Sequence, residues 1–153
     1  MNWKFISIII IIIAALGLCG FLGYNPEGPG NDLGIHLTDS GSISEDGHYY
    51  SVEDVGAYLV KYHKLPSNYM NKSEAHSIGW GGGSIERYAP GMAIGGDVFT
   101  NRQGILPSDK SYRECDIDTL GADSRGPKRI VYSTDYEDIY YTADHYESFS
   151  KIN

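Results

Sequence analysis

The chain has 153 residues, of which 41% are apolar and 12% aromatic, enough for one compact domain with an appendage but not for a multidomain protein. Twelve Lys and Arg against 20 Asp and Glu give a formal net charge of -8, and the apolar content excludes a chain that is disordered throughout. Cys19 and Cys115 have no CxxC or Cys/His spacing around them, which excludes a disulfide framework and a zinc site.

Residues 1–24 begin with a positive end at Lys4 and continue as an apolar run with six isoleucines in a row at 8–13. The pattern predicts a secretory signal peptide, with small residues before a cleavage position after Gly23. An uncleaved transmembrane anchor is the alternative, because about 20 apolar residues cross a bilayer as a helix. Lipidation of Cys19 is a third interpretation, which the bulky residue before it disfavours. Under all three interpretations the rest of the chain is either secreted or anchored to the outer face of the cell membrane.

Residues 25–46 contain Gly, Pro, Ser and five acidic residues, with no Lys or Arg and no sustained periodicity. This composition predicts an acidic flexible linker or a propeptide. The folded domain is predicted at residues 47–153. That part holds 11 of the 12 basic and 15 of the 20 acidic residues, so its net charge is -4.

Two helices are predicted at the start of the domain. Ser51 is a cap before acidic residues in a first turn, and apolar residues then recur at helical spacing over 52–63. Asn71 followed three residues later by Glu74 predicts a second, short helix that begins at Lys72 and ends near Gly79.

Strand-like segments follow the glycines at 81–83. The predicted segments have the residue types of β-strands and are separated by Gly, Pro, Asp and Ser. The predicted strands are residues 93–99, 112–117, 128–133, 139–142 and 148–152. Helices followed by strands indicate an α+β fold with an antiparallel sheet.

The common nucleotide-binding, zinc-protease and serine-hydrolase motifs are missing from the sequence. The polar residues that remain are scattered along the chain: Lys72, Glu114, Arg125, Arg129 and His145. A carboxylate, an imidazole and three cations gathered on one face of a sheet would suit phosphoryl transfer. The spacing of these residues along the sequence does not show that they lie close together in the fold. Each of them could instead be an ordinary surface residue.

Several blocks occur in an order that matches one family. They are YHKLP at 62–66, KSEA at 72–75, IGGDVFTNR at 94–102, RECDI at 113–117, RIVYS at 129–133 and DHY at 144–146. Across residues 51–153 the chain resembles the barnase-like, guanyl-preferring extracellular ribonucleases of bacteria. The resemblance implies an α+β fold with N-terminal helices packed on a twisted five-stranded antiparallel sheet.

The resemblance also implies a reaction that uses no metal and no cofactor. The enzyme would be an endoribonuclease that cleaves single-stranded RNA through a 2′,3′-cyclic phosphate. Glu114 would take the proton from the ribose 2′-hydroxyl, and His145 would protonate the departing 5′-oxygen. Asp116, on the same strand face as Glu114, would pair with one or both arginines and orient them. The cations around the phosphate would be Lys72, Arg125 and Arg129.

A base-recognition loop is implied at residues 100–103. The substrate-binding residues carried over from the family are Thr100, Asn101, Arg102 and Gln103, with Tyr146 as a residue that stacks on a base. Gln103 stands where the family has an acidic residue, so the second acceptor and the charge are lost. We therefore expect a weakened preference for guanine.

The expected partners are an RNA substrate and a small barstar-like protein inhibitor, and the enzyme is expected to be a monomer. Membrane contact is expected only through the N-terminal segment, if that segment stays uncleaved. The acidic balance would slow association with RNA unless the cations cluster tightly. Two alternatives stay open: a weakly active or inactive RNA-binding module on the same fold, and a toxin ribonuclease held by its inhibitor.

Overall fold

The computed structural model describes residues 35, 37 and 42–153. Within them the helices are α1 (Val52–Tyr62) and α2 (Lys72–Ser77), with a 3-10 helix at Ile85–Arg87. The strands are β1 (Tyr69–Met70), β2 (Ala93–Phe99), β3 (Tyr112–Asp116), β4 (Arg129–Ser133), β5 (Ile139–Thr142) and β6 (Ser150–Lys151). The predicted signal or anchor segment and most of the predicted linker lie outside the described residues. Among those that are described, no helix is both long and apolar enough to cross a bilayer.

Helix α1 forms where its capping residues predict it. The Ser51 side chain accepts the backbone N–H of Asp54 at 3.2 Å, which satisfies one of the free donors of the first turn. The helix ends one residue earlier than predicted, because His63 adopts a left-handed conformation with φ 51° and caps it. Val55 and Leu59, four residues apart, are fully buried and fix the face that packs on the sheet.

The sheet has six strands in the order β1-β2-β3-β4-β5-β6, so the prediction of five strands is wrong by one. The additional strand is β1, which pairs parallel to β2, while the other pairs are antiparallel as predicted. With two residues, β1 is too short to show an alternating pattern. The α+β class with helices packed on the sheet is confirmed.

Several predicted strands are shorter in the structure. β3 ends at Asp116 and β4 begins at Arg129, although Ile117 N–H still donates to Lys128 C=O at 3.2 Å beyond their ends. β6 covers Ser150–Lys151 instead of residues 148–152. Its N-terminal end is shortened because Ser148 belongs to a turn held by Asp144.

A β-bulge interrupts the pairing of β2 with β3. Gly95 lies opposite Cys115, but Asp97 lies opposite Glu114, so Gly96 is the extra residue. Gly96 has φ 95°, a conformation that favours glycine. Gly95 approaches β3 so closely that a Cβ there would lie 2.5 Å from the Cβ of Cys115. The bulge therefore brings a carboxylate, in place of a glycine, opposite Glu114.

The two faces of the sheet have different roles. One face packs on α1 and contains Cys115, Ile130 and Ile139. Because side chains alternate along a strand, Glu114 and Asp116 lie on the other face. That face carries a smaller apolar cluster around Leu106, Tyr112 and Val131, rimmed by Phe99, Tyr140, Tyr146 and Phe149.

Residues 42–46, which we call the N-terminal strap, pack against α1. Ile43 is 5% exposed and clusters with Ala57 and Tyr58. The Ile43 carbonyl accepts hydrogen bonds from Lys61 Nζ at 2.7 Å and from the Tyr62 hydroxyl at 3.0 Å. The packed part of the chain therefore includes residues that the sequence assigned to the linker.

Candidate active site

Glu114 occupies the middle of β3, and its side chain is 11% exposed. One carboxylate oxygen, Oε2, accepts a short hydrogen bond from the Tyr146 hydroxyl. The other, Oε1, lies 3.6 Å from Lys72 Nζ. A buried carboxylate with a phenol on one oxygen and an ammonium near the other is held in place and can accept a proton.

Asp116, two residues further along β3 and 2% exposed, pairs with both arginines as predicted. Arg125 donates from Nε and Nη2 to its two oxygens, each at 2.8 Å. This bidentate geometry is the strong form of a charge-assisted hydrogen bond. The hydrogen bonds to Asp116 raise the pKa of Arg125, so this guanidinium stays charged.

Arg129 is 3% exposed, and its Nε lies 3.0 Å from Asp116 Oδ1. Its Nη1 donates to the carbonyls of Gly126 at 2.9 Å and of Lys128 at 2.7 Å. The backbone of the turn before β4 therefore wraps the guanidinium. Together with Asp116 this turn fixes the direction in which the remaining guanidinium donors point.

His145 lies in the turn after β5 and is exposed. Both His145 and Tyr146 have positive φ, 56° and 72°, which is uncommon for residues other than glycine. Backbone contacts hold this conformation: His145 N–H donates to Pro127 C=O at 3.2 Å, and Tyr146 N–H donates to Thr142 Oγ1 at 3.0 Å. The turn is therefore fixed against the loop that carries Arg125.

Asp144 organises the same turn. It accepts the hydroxyls of Thr142 at 2.8 Å and Ser148 at 2.5 Å, and the backbone N–H of Ser148 at 3.0 Å. These hydrogen bonds, those from Ser148 first, lower the pKa of Asp144 to about 2. The carboxylate is therefore charged at neutral pH.

Tyr146 links the two predicted proton-transfer residues. Its ring centroid is 4.8 Å from that of His145, and its hydroxyl bonds to Glu114. Burial and this hydrogen bond raise the pKa of Tyr146, and the neighbouring Arg129 opposes the shift. The phenol is therefore neutral and donates a hydrogen bond to Glu114. The sequence predicted a stacking residue here and missed this hydroxyl contact.

The loop predicted to bind the base closes around a cavity. Asn101 holds the loop: its Nδ2 donates to Leu106 C=O at 2.8 Å, and its Oδ1 accepts Leu106 N–H at 3.1 Å. The cavity has a volume of about 260 Å³. It is lined by all five residues predicted to bind substrate and by three apolar ones: Phe99, Thr100, Asn101, Arg102, Gln103, Ile105, Tyr146 and Phe149.

The structure thus gathers most of the predicted site. Lys72 and Tyr146 reach Glu114, and both arginines reach Asp116 on the same strand face. Within the part of the chain that is described, the His145 imidazole has no hydrogen-bond partner, and its ring contacts Tyr146. Tyr146 is shared between the Glu114 centre and the base cavity, so the two form one continuous site.

A family model described as ribonuclease matches residues 53–153 of the chain. The chain belongs to this ribonuclease family. The ribonuclease of Bacillus intermedius is 37% identical, over 97% of this chain and 99% of the relative. The ribonuclease of Heyndrickxia coagulans is 45% identical, over 65% of this chain and 94% of its own. Guanyl-specific ribonuclease Sa3 of Kitasatospora aureofaciens is 42% identical, over 38% of this chain and 43% of its own.

The predicted family and the predicted activity are confirmed: this ribonuclease is an endoribonuclease, and RNA is its substrate. The alternative of an inactive RNA-binding module is not favoured.

Proposed function

We propose that this ribonuclease cleaves RNA in two steps, in which the ribose 2′-hydroxyl first attacks the adjacent phosphorus and water then opens the 2′,3′-cyclic phosphate. The observation that carries the proposal is the placement of Glu114 beside Lys72 and on the same strand face as Asp116, which holds two guanidinium groups. A carboxylate that can act as a general base, next to a cluster of cations, suits a reaction whose transition state gains negative charge on phosphate oxygens.

Proton transfer is assigned to two residues. Glu114 takes the proton of the 2′-hydroxyl, and His145 gives a proton to the departing 5′-oxygen. In the second step the roles reverse, with His145 activating water and Glu114 returning the proton. The exposure of His145 suits contact with a leaving group at the mouth of the site.

Charge stabilisation is assigned to Lys72, Arg125 and Arg129. Two of them are fixed by Asp116 before any substrate arrives, so little reorganisation is needed during the reaction. They favour the transition state over the ground state because the phosphate charge grows as the bond to the 2′-oxygen forms. With the nucleophile supplied by the substrate, no metal is required, and DNA binds without being cut.

The base is proposed to bind in the cavity that residues 100–103 line together with Tyr146. Three of the relatives have names that describe them as guanyl-specific ribonucleases. In this chain Gln103 has one acceptor oxygen and no charge, so it cannot accept both guanine donors as a carboxylate does. We propose that guanine is bound with a smaller advantage over adenine than an acidic residue would give.

Dinucleotide assays test these assignments. GpN and ApN substrates are incubated with the enzyme in the presence of a chelator, and the 2′,3′-cyclic phosphate is followed by chromatography. Glu114→Gln and His145→Ala are expected to lower kcat by about 100-fold or more, typical of a lost general base or acid. Glu53→Gln and His48→Ala, at exposed positions outside the site, are the matched controls. Unchanged turnover in Glu114→Gln would refute its role.

Export and an inhibitor form the remaining part of the proposal. The N-terminal segment suits a secreted or surface-anchored enzyme, and the cationic cluster suits a small acidic protein that covers it, as a barstar-like inhibitor would. Mass spectrometry of the chain from culture medium and from membranes tests the first point. Titration of the enzyme with a barstar-like protein, followed by loss of dinucleotide cleavage, tests the second.

A further inference from the structure

Asp97 has an unusual position for an acidic residue. It follows the bulge at Gly96 and is the Cα partner of Glu114 across β2 and β3. Side chains at such paired positions have Cβ atoms about 4.5–5.5 Å apart, and like charges there are destabilising. A second carboxylate opposite Glu114 therefore needs a compensating contact.

The compensating contact is with Lys72. The backbone N–H of Lys72 donates to Asp97 Oδ2 at 3.0 Å and approaches Oδ1 at 3.3 Å. The side chain of the same lysine places Nζ 3.6 Å from Glu114 Oε1. One residue is thus held at its backbone by one carboxylate while its ammonium faces the other.

Helix α2 depends on tertiary contacts to stay in place, because six residues are too few for a stable isolated helix. Its capping box joins Asn71 to Glu74, so these bonds lie within the helical segment itself. Ala75 is buried against Ile94 and Trp80 and attaches the middle of the helix. The carboxylate of Asp97 attaches the first residue, Lys72, to the sheet.

We propose that Asp97 is a positioning residue for RNA cleavage, which fixes the backbone of Lys72 so that its ammonium meets the scissile phosphate beside Glu114. This inference rests on the proposed catalytic role of Lys72. Asp97 itself need not touch the substrate. Its carboxylate acts by accepting the hydrogen bond from the Lys72 N–H, and its negative charge matters less than this bond.

The test combines two substitutions at Asp97 with one at Lys72. Asp97→Ala removes the acceptor, whereas Asp97→Asn keeps an amide oxygen that can accept the N–H. Lys72→Ala and the double variant Asp97→Ala/Lys72→Ala complete a double-mutant cycle. Asp123→Ala, at an exposed position with no hydrogen bond or ion pair among the described residues, is the matched control. For each variant kcat and KM on a dinucleotide and the thermal midpoint are measured.

Asp97→Ala is expected to lower kcat about tenfold, because a displaced charge loses much of its transition-state effect, with KM changed by less than about threefold. Asp97→Asn is expected to restore most of the rate. In the Lys72→Ala background the Asp97→Ala change should have no further effect on kcat. A purely structural role would lower the thermal midpoint without this coupling.

Three results would overturn the inference: full activity in Asp97→Ala, equal losses in Asp97→Ala and Asp97→Asn, or additive losses in the double variant. The first means that the acceptor is not needed, the second that charge is what matters, and the third that Asp97 acts independently of Lys72. If Lys72→Ala alone is fully active, the proposed role of Lys72 fails. That outcome is distinct from the other three.

Discussion

Shortening Ile43 to alanine should destabilise the folded domain measurably, although the sequence assigns this residue to a linker. Ile43 is 95% removed from solvent, in a cluster with Ala57 and Tyr58. Ile→Ala changes in protein cores lower the free energy of unfolding by about 2–5 kcal/mol. Because the strap covers one side of one helix, we expect the lower part of that range, about 2–3 kcal/mol.

Such a loss is large for a domain of this size, whose total stability is about 5–15 kcal/mol. Urea denaturation of residues 25–153, followed by circular dichroism, measures it through the midpoint and the slope. Val60→Ala on the exposed side of α1 serves as control, since Val60 is 40% exposed and its truncation should cost about 0.5 kcal/mol or less. A change below about 0.5 kcal/mol for Ile43→Ala would refute the assignment of the strap to the folded domain.

Three further predictions concern the site. Gln103→Glu should raise the GpN over ApN ratio of kcat/KM, by about tenfold for one charge-assisted bond, and an unchanged ratio would contradict the assignment of the loop. Asp116→Asn should lower the free energy of unfolding by about 3–5 kcal/mol, because two guanidinium groups lose a buried partner, and urea denaturation measures it. The pKa of Asp144 is lowered from 3.8 to about 2, so its stabilising contribution is present above pH 3.8 and is lost as pH falls toward 2. In the Asp144→Asn variant the free energy of unfolding should therefore decrease less as the pH is lowered. An acid profile identical to that of the unmodified enzyme would contradict this role of Asp144.

The sequence predicted those parts of the fold whose signals are local. Ser51 and Asn71 mark the starts of both helices because their caps use residues three positions away. The alternation of side chains along one strand also placed Glu114 and Asp116 on one face, where both arginines pair with Asp116. Each of these features follows from a fixed spacing between residues that are close together in the sequence.

The features that the sequence did not predict depend on contacts between distant residues. β1 is too short to have a period, and the Gly96 bulge becomes visible only when the register of two strands is known. The role of Asp97 follows from that bulge. The hydroxyl of Tyr146 reaches Glu114 because two successive residues adopt positive φ, which their side-chain types do not indicate. Ile43 is a single apolar residue among polar ones, so no pattern revealed its burial.

The charged side chains around Glu114 and the net charge of the domain together determine how ionic strength affects this enzyme. Lys72, Arg125 and Arg129 face three carboxylates, Asp97, Glu114 and Asp116, so these charges balance and do not offset the net charge of -4 over residues 47–153. Added salt first weakens the long-range repulsion between the acidic domain and RNA, because charges separated by more than about 8–10 Å are screened at physiological salt concentrations. Contacts inside the pocket are shorter than this distance and are screened less. Turnover of long RNA should therefore increase with the first additions of salt and decrease only at higher concentrations.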